Sequence, residues 1–243
     1  MCLTSVSITH IIYIGDNMEV NNPLYKNQGI HVISSLFTVD HGVVKVLLIK
    51  RNNEPFKGKW ALVGGALYNN EDLIDGVRRE IKEKSGIDSI DLYLSSVHGK
   101  VDRSPVMRMV AISYVGVIDI NSVNIVKKTM KTTDAEWIDI NLVKSMDLAY
   151  DHNEIIASSF EELKKLILKS SILDCLFPHG FTIPEIQKVY EVILGKSYDR
   201  RNFRRKLLSL DLIEDTGESS VFDGKKPAKF YRFKKKIDDI NIF

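Results

Sequence analysis

The spacing of glycines and charged residues between positions 65 and 87 constrains this chain of 243 residues more than any other feature. Gly65 is followed after five residues by Glu71, and seven residues later comes the charged run Arg79–Lys84, which precedes a Gly-Ile pair at 86–87. Between these points, apolar side chains recur at helical intervals: Leu73, Ile74, Val77 and Ile81. We therefore predict a helix from 70 to 85 that Asn70 caps and a left-handed glycine ends.

The same segment resembles the Nudix box, a loop–helix–loop that in active members binds divalent metal and cleaves nucleoside diphosphates linked to another group. Every position that the family pattern specifies is matched except the last glutamate, where this chain has Lys84. Positions 80, 83 and 84 share one helical face, so carboxylates there would hold Mg²⁺ or Mn²⁺. Lys84 repels a cation and has the i,i+4 spacing to pair with Glu80. We predict weak or absent hydrolysis, no required cofactor, and a metal (Mg²⁺ or Mn²⁺) at Glu80 and Glu83 only if activity is retained.

A Nudix cleft that has lost its metal chemistry keeps a shape suited to a diphosphate. Lys84 is predicted to face a phosphate, and Arg79 to pair with Glu71 or Glu83 and support the loop. Arg51, His98 and Asp102 are further candidates for the cleft, with a structural role as the alternative for each. The predicted ligand-binding residues are Arg51, Gly64, Gly65, Glu71, Arg79, Glu80, Glu83, Lys84, His98 and Asp102.

Apolar and β-branched stretches surround this segment. Residues 30–40 and 43–50, with an Asp-His-Gly turn between them, predict a hairpin. Further strands are predicted at 92–101, 107–118 and 135–140, which together with the box helix indicate a layered domain. A long helix is predicted from Asp151, which has capping-box spacing with Glu154, and it would bridge to the rest of the chain.

The C-terminal part has a different character. Thr182 and Glu185 have capping-box spacing before an apolar stripe that stops at Gly195, and a second helix is predicted from about 198 to 210. Short strands at 212–213 and 229–233, joined by a loop at 217–227, complete the order of a winged helix-turn-helix. The fold class predicted for the chain is α+β: a Nudix α/β/α sandwich with a C-terminal winged helix-turn-helix.

The second helix of this part carries a basic face opposite its apolar one. Arginine clamps phosphate with two hydrogen bonds and contacts guanine in the major groove, and wing lysines reach phosphates. We predict binding of a double-stranded DNA operator; a solvated basic helix is the alternative. The predicted DNA-binding residues are Arg200, Arg201, Asn202, Arg204, Arg205, Lys206, Lys225, Lys226 and Lys229.

Several further segments carry a resemblance that spans about residues 30–233. They are 148–156, 181–187, Tyr190–Glu191, Gly195, 201–206, Pro227–Ala228 and Tyr231. With the altered box, they resemble the Nudix-related transcriptional regulator family, NrtR. The resemblance implies a homodimeric repressor of genes for NAD synthesis or salvage that ADP-ribose releases from DNA. Some relatives respond instead to a sugar such as arabinose, and the residues leave that alternative open.

Composition limits the compartment and the partners. Residues 185–236 contain fourteen Lys/Arg and eight Asp/Glu, a net charge of +6, whereas the whole chain has +2. A basic tail on an acidic body indicates a polyanionic partner for the tail alone. Two cysteines and the lack of a long apolar run predict a cytoplasmic protein without a membrane span. The predicted division is a leader at 1–20, in which Met18 is a second candidate start, a Nudix-like domain at 21–155, and a linker helix with the winged helix at 156–243.

An active enzyme is the competing hypothesis. Glu71, Arg79, Glu80 and Glu83 retain most of the box, so a working ADP-ribose pyrophosphatase with an accessory C-terminal domain stays open at this point. Metal-dependent release of AMP from ADP-ribose, without DNA binding, would distinguish it from the regulator.

Overall fold

The computed structural model describes residues 28–222, 224 and 226–234 of the chain. The predicted leader and Lys225 lie outside the described residues. None of the helices in the described ranges combines the length and the apolar character that crossing a membrane requires.

The predicted hairpin is confirmed and forms the centre of the larger sheet. Strand β1 (Gly29–Asp40) pairs antiparallel with β2 (Val43–Arg51), with Phe37 opposite Val46. Both turn residues have positive φ, 47° at His41 and 73° at Gly42, which matches the twist that a two-residue hairpin needs. The hairpin therefore sets the register of the sheet.

The remaining strands of this sheet cover both sides of the hairpin. Within the described residues the sheet has seven strands. Besides β1 and β2 they are β3 (Trp60–Ala61), β4 (Val63–Ala66), β5 (Leu92–His98), β6 (Met109–Val117) and β7 (Thr132–Asp139). Its path is β3-β2-β1-β6-β5, with β4 on β1 and β7 on β2. Strands β1 and β6 pair in parallel, and the chain between them passes through β2 to β5 and the box helix, which joins β4 to β5.

Helices cover the two faces of this sheet, which confirms the predicted sandwich. Helix α1 (Leu73–Ser85) buries Val77 and Ile81 against one face. A short α2 (Ile140–Val143) follows β7, and the long α3 (His152–Lys169) buries Ile155, Leu163 and Ile167 against the other face. The core thus lies in two layers, one on each side of the strands.

Two helix starts differ from the predictions. Helix α1 begins at Leu73 rather than at Asn70, because Glu71 is used elsewhere: it accepts a hydrogen bond from the amide of Tyr68. At the start of α3, Asp151 holds the N-cap position, but its carboxylate is directed to Arg103 instead of the helix amides. The predicted capping box with Glu154 is therefore wrong, although the left-handed Gly86 at the end of α1 is confirmed.

The C-terminal part is a winged helix-turn-helix. It consists of β8 (Phe181–Thr182), α4 (Ile183–Leu194), α5 (Arg200–Ser209), β9 (Ile213–Ser220) and β10 (Ala228–Phe233), with sheet order β8-β10-β9. The Thr182–Glu185 capping box is present, as predicted. The hydroxyl of Tyr190 donates to the Ile167 carbonyl at 3.0 Å, which fixes α4 to the end of α3.

Strand β9 is much longer than the predicted 212–213. Its residues 214–220 are mostly polar and exposed, so their sequence contains no apolar alternation. They become a strand because β10 pairs with them, from Phe233 opposite Ile213 to Ala228 opposite Ser220, with one register shift between Lys229 and Tyr231. Strand β9 therefore ends at Ser220, and β10 begins at Ala228.

Candidate functional site

Lys84 occupies the centre of the altered Nudix box. Its ammonium lies 2.8 Å from the Glu80 carboxylate, one helical turn away, and also donates to the carbonyl of Gly64 on β4. Glu80 is 2% exposed, so the pair is buried. Burial opposes ionisation of Glu80, but Lys84 and Arg79 outweigh it and hold the pKa of this carboxyl below its usual range. The sequence-predicted i,i+4 pair is therefore confirmed as a closed contact.

Arg79 supports the loop that leads into α1, as predicted. Its guanidinium donates two hydrogen bonds to Glu71, at 2.7 and 2.8 Å, and one to Glu80 at 2.6 Å. The ring of Tyr68 packs against the guanidinium, with 3.7 Å from Cζ to the ring centroid. The hydrogen bonds from Arg79 lower the pKa of Glu71 to about 2, so this carboxylate stays charged at neutral pH.

The carboxylates that a Nudix metal would need are already bound to cations of the chain. Glu80 contacts Lys84 and Arg79, and Glu83 pairs with Lys131 at 2.7 Å. Throughout the described ranges, no three His, Cys, Asp or Glu side chains are grouped as a metal site would require. The residues present therefore do not fit a divalent metal, because an ammonium fills the space between the carboxylate and the β4 carbonyl.

Two adjoining cavities open beside the Lys84–Glu80 pair. The outer groove, of about 410 Å³, is lined by Glu54, Tyr68, Glu80 and Lys131 among others. The inner cavity, of about 130 Å³, is lined by His31, Arg103, Tyr150 and His152 among others. Both share Ile49, Arg51, Gly65 and Lys84. A volume of several hundred cubic ångströms is typical of small-molecule sites, so the groove is the candidate ligand site.

The wall between the cavities depends on glycine and arginine. A Cβ atom at Gly65 would collide with the Glu80 carboxyl, so a larger residue there would displace Glu80 from its contact with Lys84. Arg51 ends β2 and donates to the Pro55 carbonyl at 2.9 Å, while its guanidinium lies 5.2 Å from the Tyr150 ring. The positive charge in this wall matches an anionic ligand.

The inner cavity contains residues that sequence reasoning missed. Arg103, 6% exposed, donates from Nε and Nη2 to the two Asp151 carboxylate oxygens at 3.0 and 2.8 Å. His152 accepts a hydrogen bond from the Leu62 amide on Nδ1, and burial lowers the pKa of its ring to about 3. Burial and the nearby Arg103 lower the pKa of His31 to about 4. Only the Asp151-His152 pair had a sequence signal, through the family resemblance.

Five predicted ligand residues line neither cavity: Glu71, Arg79, Glu83, His98 and Asp102. His98 contacts the hydroxyls of Ser96 and Ser158 between β5 and α3, at 2.8 and 3.5 Å from its Nε2. Asp102 is exposed on the loop after β5, and Glu83 is turned towards Lys131. Glu71 and Arg79 also lie behind the groove, in its support. Gly64 lines the inner cavity.

Helix α5 presents the predicted basic surface. Phe203 and Leu207 are buried, whereas the charged and polar residues are all exposed: Arg200, Arg201, Asn202, Arg204, Arg205 and Lys206. Asp199 caps the helix by accepting from the Asn202 amide at 2.9 Å, which fixes its first turn. The exposed guanidiniums are therefore held on a short, capped helix in the position of a recognition helix.

The wing beside α5 is less strongly basic than predicted. Lys226 is exposed, but Lys229 pairs with Asp215 across the hairpin at 2.6 Å. The hydrogen bond from Lys229 lowers the pKa of Asp215, and the Gly217 amide and the charge of Arg204 lower it further. A phosphate at Lys229 would have to displace a carboxylate, so α5 carries most of the accessible charge.

Comparisons with known proteins agree with this architecture. Residues 31–159 match the NUDIX domain family, and residues 175–233 match the NrtR DNA-binding winged helix domain. The chain is 32% identical over 210 residues to a protein of Acinetobacter baylyi, the "ADPR responsive transcriptional repressor NtrR", which covers 86% of this chain and 83% of the relative.

Two solved structures resemble the chain in three dimensions. Shewanella oneidensis NrtR complexed with a 27mer DNA is 31% identical, covers 84% of this chain and 93% of its own, and has a TM-score of 0.73. The NUDIX domain of the same Shewanella protein complexed with ADP ribose is 27% identical, covers 64% and 99%, and has a TM-score of 0.55.

The fold and the site together define a Nudix domain joined to a DNA-binding winged helix, which is the architecture of a transcriptional regulator. The chain belongs to the NrtR family.

Proposed function

We propose that this protein represses transcription by binding an operator as a homodimer and releases the DNA when an ADP-ribose-type molecule enters the Nudix cleft. The observation that carries the proposal is the buried contact of Lys84 with Glu80 and Gly64. This contact occupies the place of the metal while leaving a groove beside it. A cleft of this kind supports recognition of a nucleoside diphosphate without its cleavage.

The charge of the groove favours a diphosphate over a neutral sugar as the effector. Arg51, Lys84 and Lys131 line the groove with cationic groups, against the carboxylates of Glu54 and Glu80. A sugar of arabinose type needs hydrogen-bond acceptors for its hydroxyls, whereas phosphate oxygens need donors. The described relatives named for ADP-ribose support the same choice.

Helix α3 is the proposed lever between effector and DNA. Its first turn borders the inner cavity through His152, and its last turn contacts the winged helix through the Tyr190–Ile167 hydrogen bond. A small shift of α3 would change the placement of two recognition helices relative to half-sites about one turn apart. A coupling of about 1–3 kcal/mol is sufficient for a several-fold or larger loss of DNA affinity.

Hydrolysis is the weaker candidate function. The box keeps Glu71, Arg79, Glu80 and Glu83, but Glu80 and Glu83 are neutralised by Lys84, Arg79 and Lys131. Binding a metal at Glu80 would require the displacement of a buried ammonium. We therefore infer that the cleft binds its ligand intact.

A gel-shift with the DNA upstream of the gene itself, with and without ADP-ribose, tests the proposal. The expected result is a shifted band that ADP-ribose weakens and that is also weaker in Arg204→Ala. Lys165→Ala, which removes an exposed charge on α3, is the matched control and should bind as the wild type does. Metal-dependent AMP release from ADP-ribose without any DNA binding would overturn the proposal.

A further inference from the structure

The guanidinium of Arg103 has two hydrogen-bonding edges, and only one of them has acceptors in the described part of the chain. The Nε and Nη2 atoms donate to Asp151, the N-cap residue of α3. The opposite edge carries Nη1, which is buried and has no hydrogen-bond partner in the described part of the chain. A buried guanidinium N–H without an acceptor is costly, because it has lost its water without replacing it. The arginine side chain lines the inner cavity.

The inner cavity is rich in donors and poor in acceptors. Its described polar side chains are His31, Arg51, Lys84, Arg103, Tyr150 and His152, and none is a carboxylate. His152 accepts from the Leu62 amide on Nδ1, so its neutral ring carries the proton on Nε2. A sugar hydroxyl needs both donors and acceptors, whereas the oxygens of an oxyanion only accept. The lining therefore matches an oxyanion.

The size of the cavity limits how much of a ligand it holds. Its volume of about 130 Å³ is below the range of sites that enclose a whole cofactor, and it adjoins the groove of about 410 Å³ at Arg51, Gly65 and Lys84. One compact group can therefore enter the inner cavity while the remainder of the molecule lies in the groove.

We propose that the inner cavity is an oxyanion subsite in which the free edge of Arg103 binds a phosphate group of the effector. This inference rests on the proposed function, since it assigns a phosphate of the same ligand to a residue outside the Nudix box. The phosphate accepts from Nη1 while Asp151 keeps Nε and Nη2. One guanidinium then joins the effector to the N-cap of α3, so occupation of the cavity acts directly on the helix that leads to the winged helix.

The variants that test this subsite separate the two edges of Arg103. Arg103→Lys keeps a cation for Asp151 but removes the second edge, and Asp151→Asn leaves that edge intact while weakening the link to α3. Arg108→Lys is the matched control, because Arg108 lies on the same loop and its guanidinium contacts backbone carbonyls. Folding of each variant is checked by its thermal unfolding transition before any ligand is added.

Calorimetric titration of the full chain with inorganic phosphate and with ADP-ribose gives the decisive readout. In the wild type and in Arg108→Lys, phosphate should bind saturably and compete with ADP-ribose. Arg103→Lys should lose at least tenfold in affinity for both, which corresponds to the strength of a charge-assisted hydrogen bond. Asp151→Asn should still bind phosphate, but ADP-ribose should release its DNA less effectively.

The outcomes distinguish this inference from the proposed function. If ADP-ribose releases DNA from the wild type and from a folded Arg103→Lys alike, the subsite is wrong and the repressor stands. If phosphate binding depends on Arg103 while ADP-ribose leaves the DNA complex unchanged, the subsite stands and the proposed effector is wrong. Equal phosphate affinity in the wild type and in Arg103→Lys also overturns the subsite.

Discussion

The ammonium of Lys84 lies 2.8 Å from the carboxylate of Glu80, with the two side chains 11% and 3% exposed. The two residues are one turn apart on α1, and Lys84 also donates a hydrogen bond to the Gly64 carbonyl on β4. In this position a metal would have brought together the helix, the strand and a diphosphate. The lysine side chain instead joins the helix to the strand through its contacts with Glu80 and Gly64.

Replacing Lys84 with the glutamate of the Nudix pattern should make the site depend on a bound metal ion instead of the lysine ammonium. Lys84→Glu places a second carboxylate beside buried Glu80, so we expect the variant to lose about 3 kcal/mol or more of stability in a chelator. Mn²⁺ should recover the loss and permit slow hydrolysis of ADP-ribose. Thermal unfolding with chelator and with Mn²⁺ measures the first effect. Lys82→Glu makes the same charge change on an exposed position of the helix and should show neither effect; a fully stable Lys84→Glu in chelator would contradict the buried pair.

Arginines of α5 should account for the salt dependence of DNA binding. Arg201→Ala and Arg204→Ala each remove an exposed guanidinium, so each should reduce the slope of log affinity against log salt by about 1 if it contacts a phosphate. A residue that contacts a base instead should cost about 1–3 kcal/mol on the specific operator and little on random DNA. Fluorescence anisotropy at several salt concentrations measures both quantities. Unchanged slopes and affinities in both variants would exclude α5 as the recognition helix.

The Tyr190 hydroxyl should contribute to the attachment of the winged helix. Tyr190→Phe leaves the buried Ile167 carbonyl without this donor, so we expect a loss of about 1 kcal/mol in the free energy of unfolding. Because the bond links α4 to α3, the variant should also show weaker release of DNA by the effector. Urea unfolding gives the stability, with Ser145→Ala as the control, since it removes an exposed hydroxyl that donates to the Leu142 carbonyl. A normal effector response in a destabilised Tyr190→Phe would mean that the coupling runs elsewhere.

Buried His152 should make the protein sensitive to mild acid. Burial lowers its pKa to about 3, with Asp151 opposing the shift and Arg103, Arg51 and His31 supporting it. The unfolded ring titrates near 6.5, so the unfolded state binds more protons below that pH and stability falls until the pH reaches about 3.

His152→Asn keeps an acceptor for the Leu62 amide but cannot titrate. Below the unfolded pKa, its free energy of unfolding should fall less steeply than that of the wild type, by up to about 1.4 kcal/mol per pH unit. Urea unfolding across mildly acidic pH values measures the slopes. His41→Asn removes an exposed histidine and should leave the slope unchanged, since its side chain is 96% exposed. Identical slopes for His152→Asn and the wild type would show that His152 is protonated in the folded protein.

The sequence predicted correctly those elements whose formation depends on residues close together in the chain. The stripe of Val77 and Ile81, the Thr182–Glu185 capping box and the His41–Gly42 turn depend on neighbours a few residues away, and all are found. Strand β9 was predicted far too short, because polar residues become a strand only when β10 pairs with them. The capping role expected for Asp151 failed for a related reason: Arg103, 48 residues earlier, binds its carboxylate.

The sequence alone determined that the Nudix box contains a lysine in place of a carboxylate and that a basic helix follows in the C-terminal part. Both facts depend on residue type and spacing. Only the tertiary structure decided that Lys84 reaches Gly64, that Arg103 and His31 line one cavity, and that His98 and Asp102 lie elsewhere. Loops carry no periodic signal, and the position of a loop side chain such as Arg103 is fixed by contacts with residues that are distant in the chain.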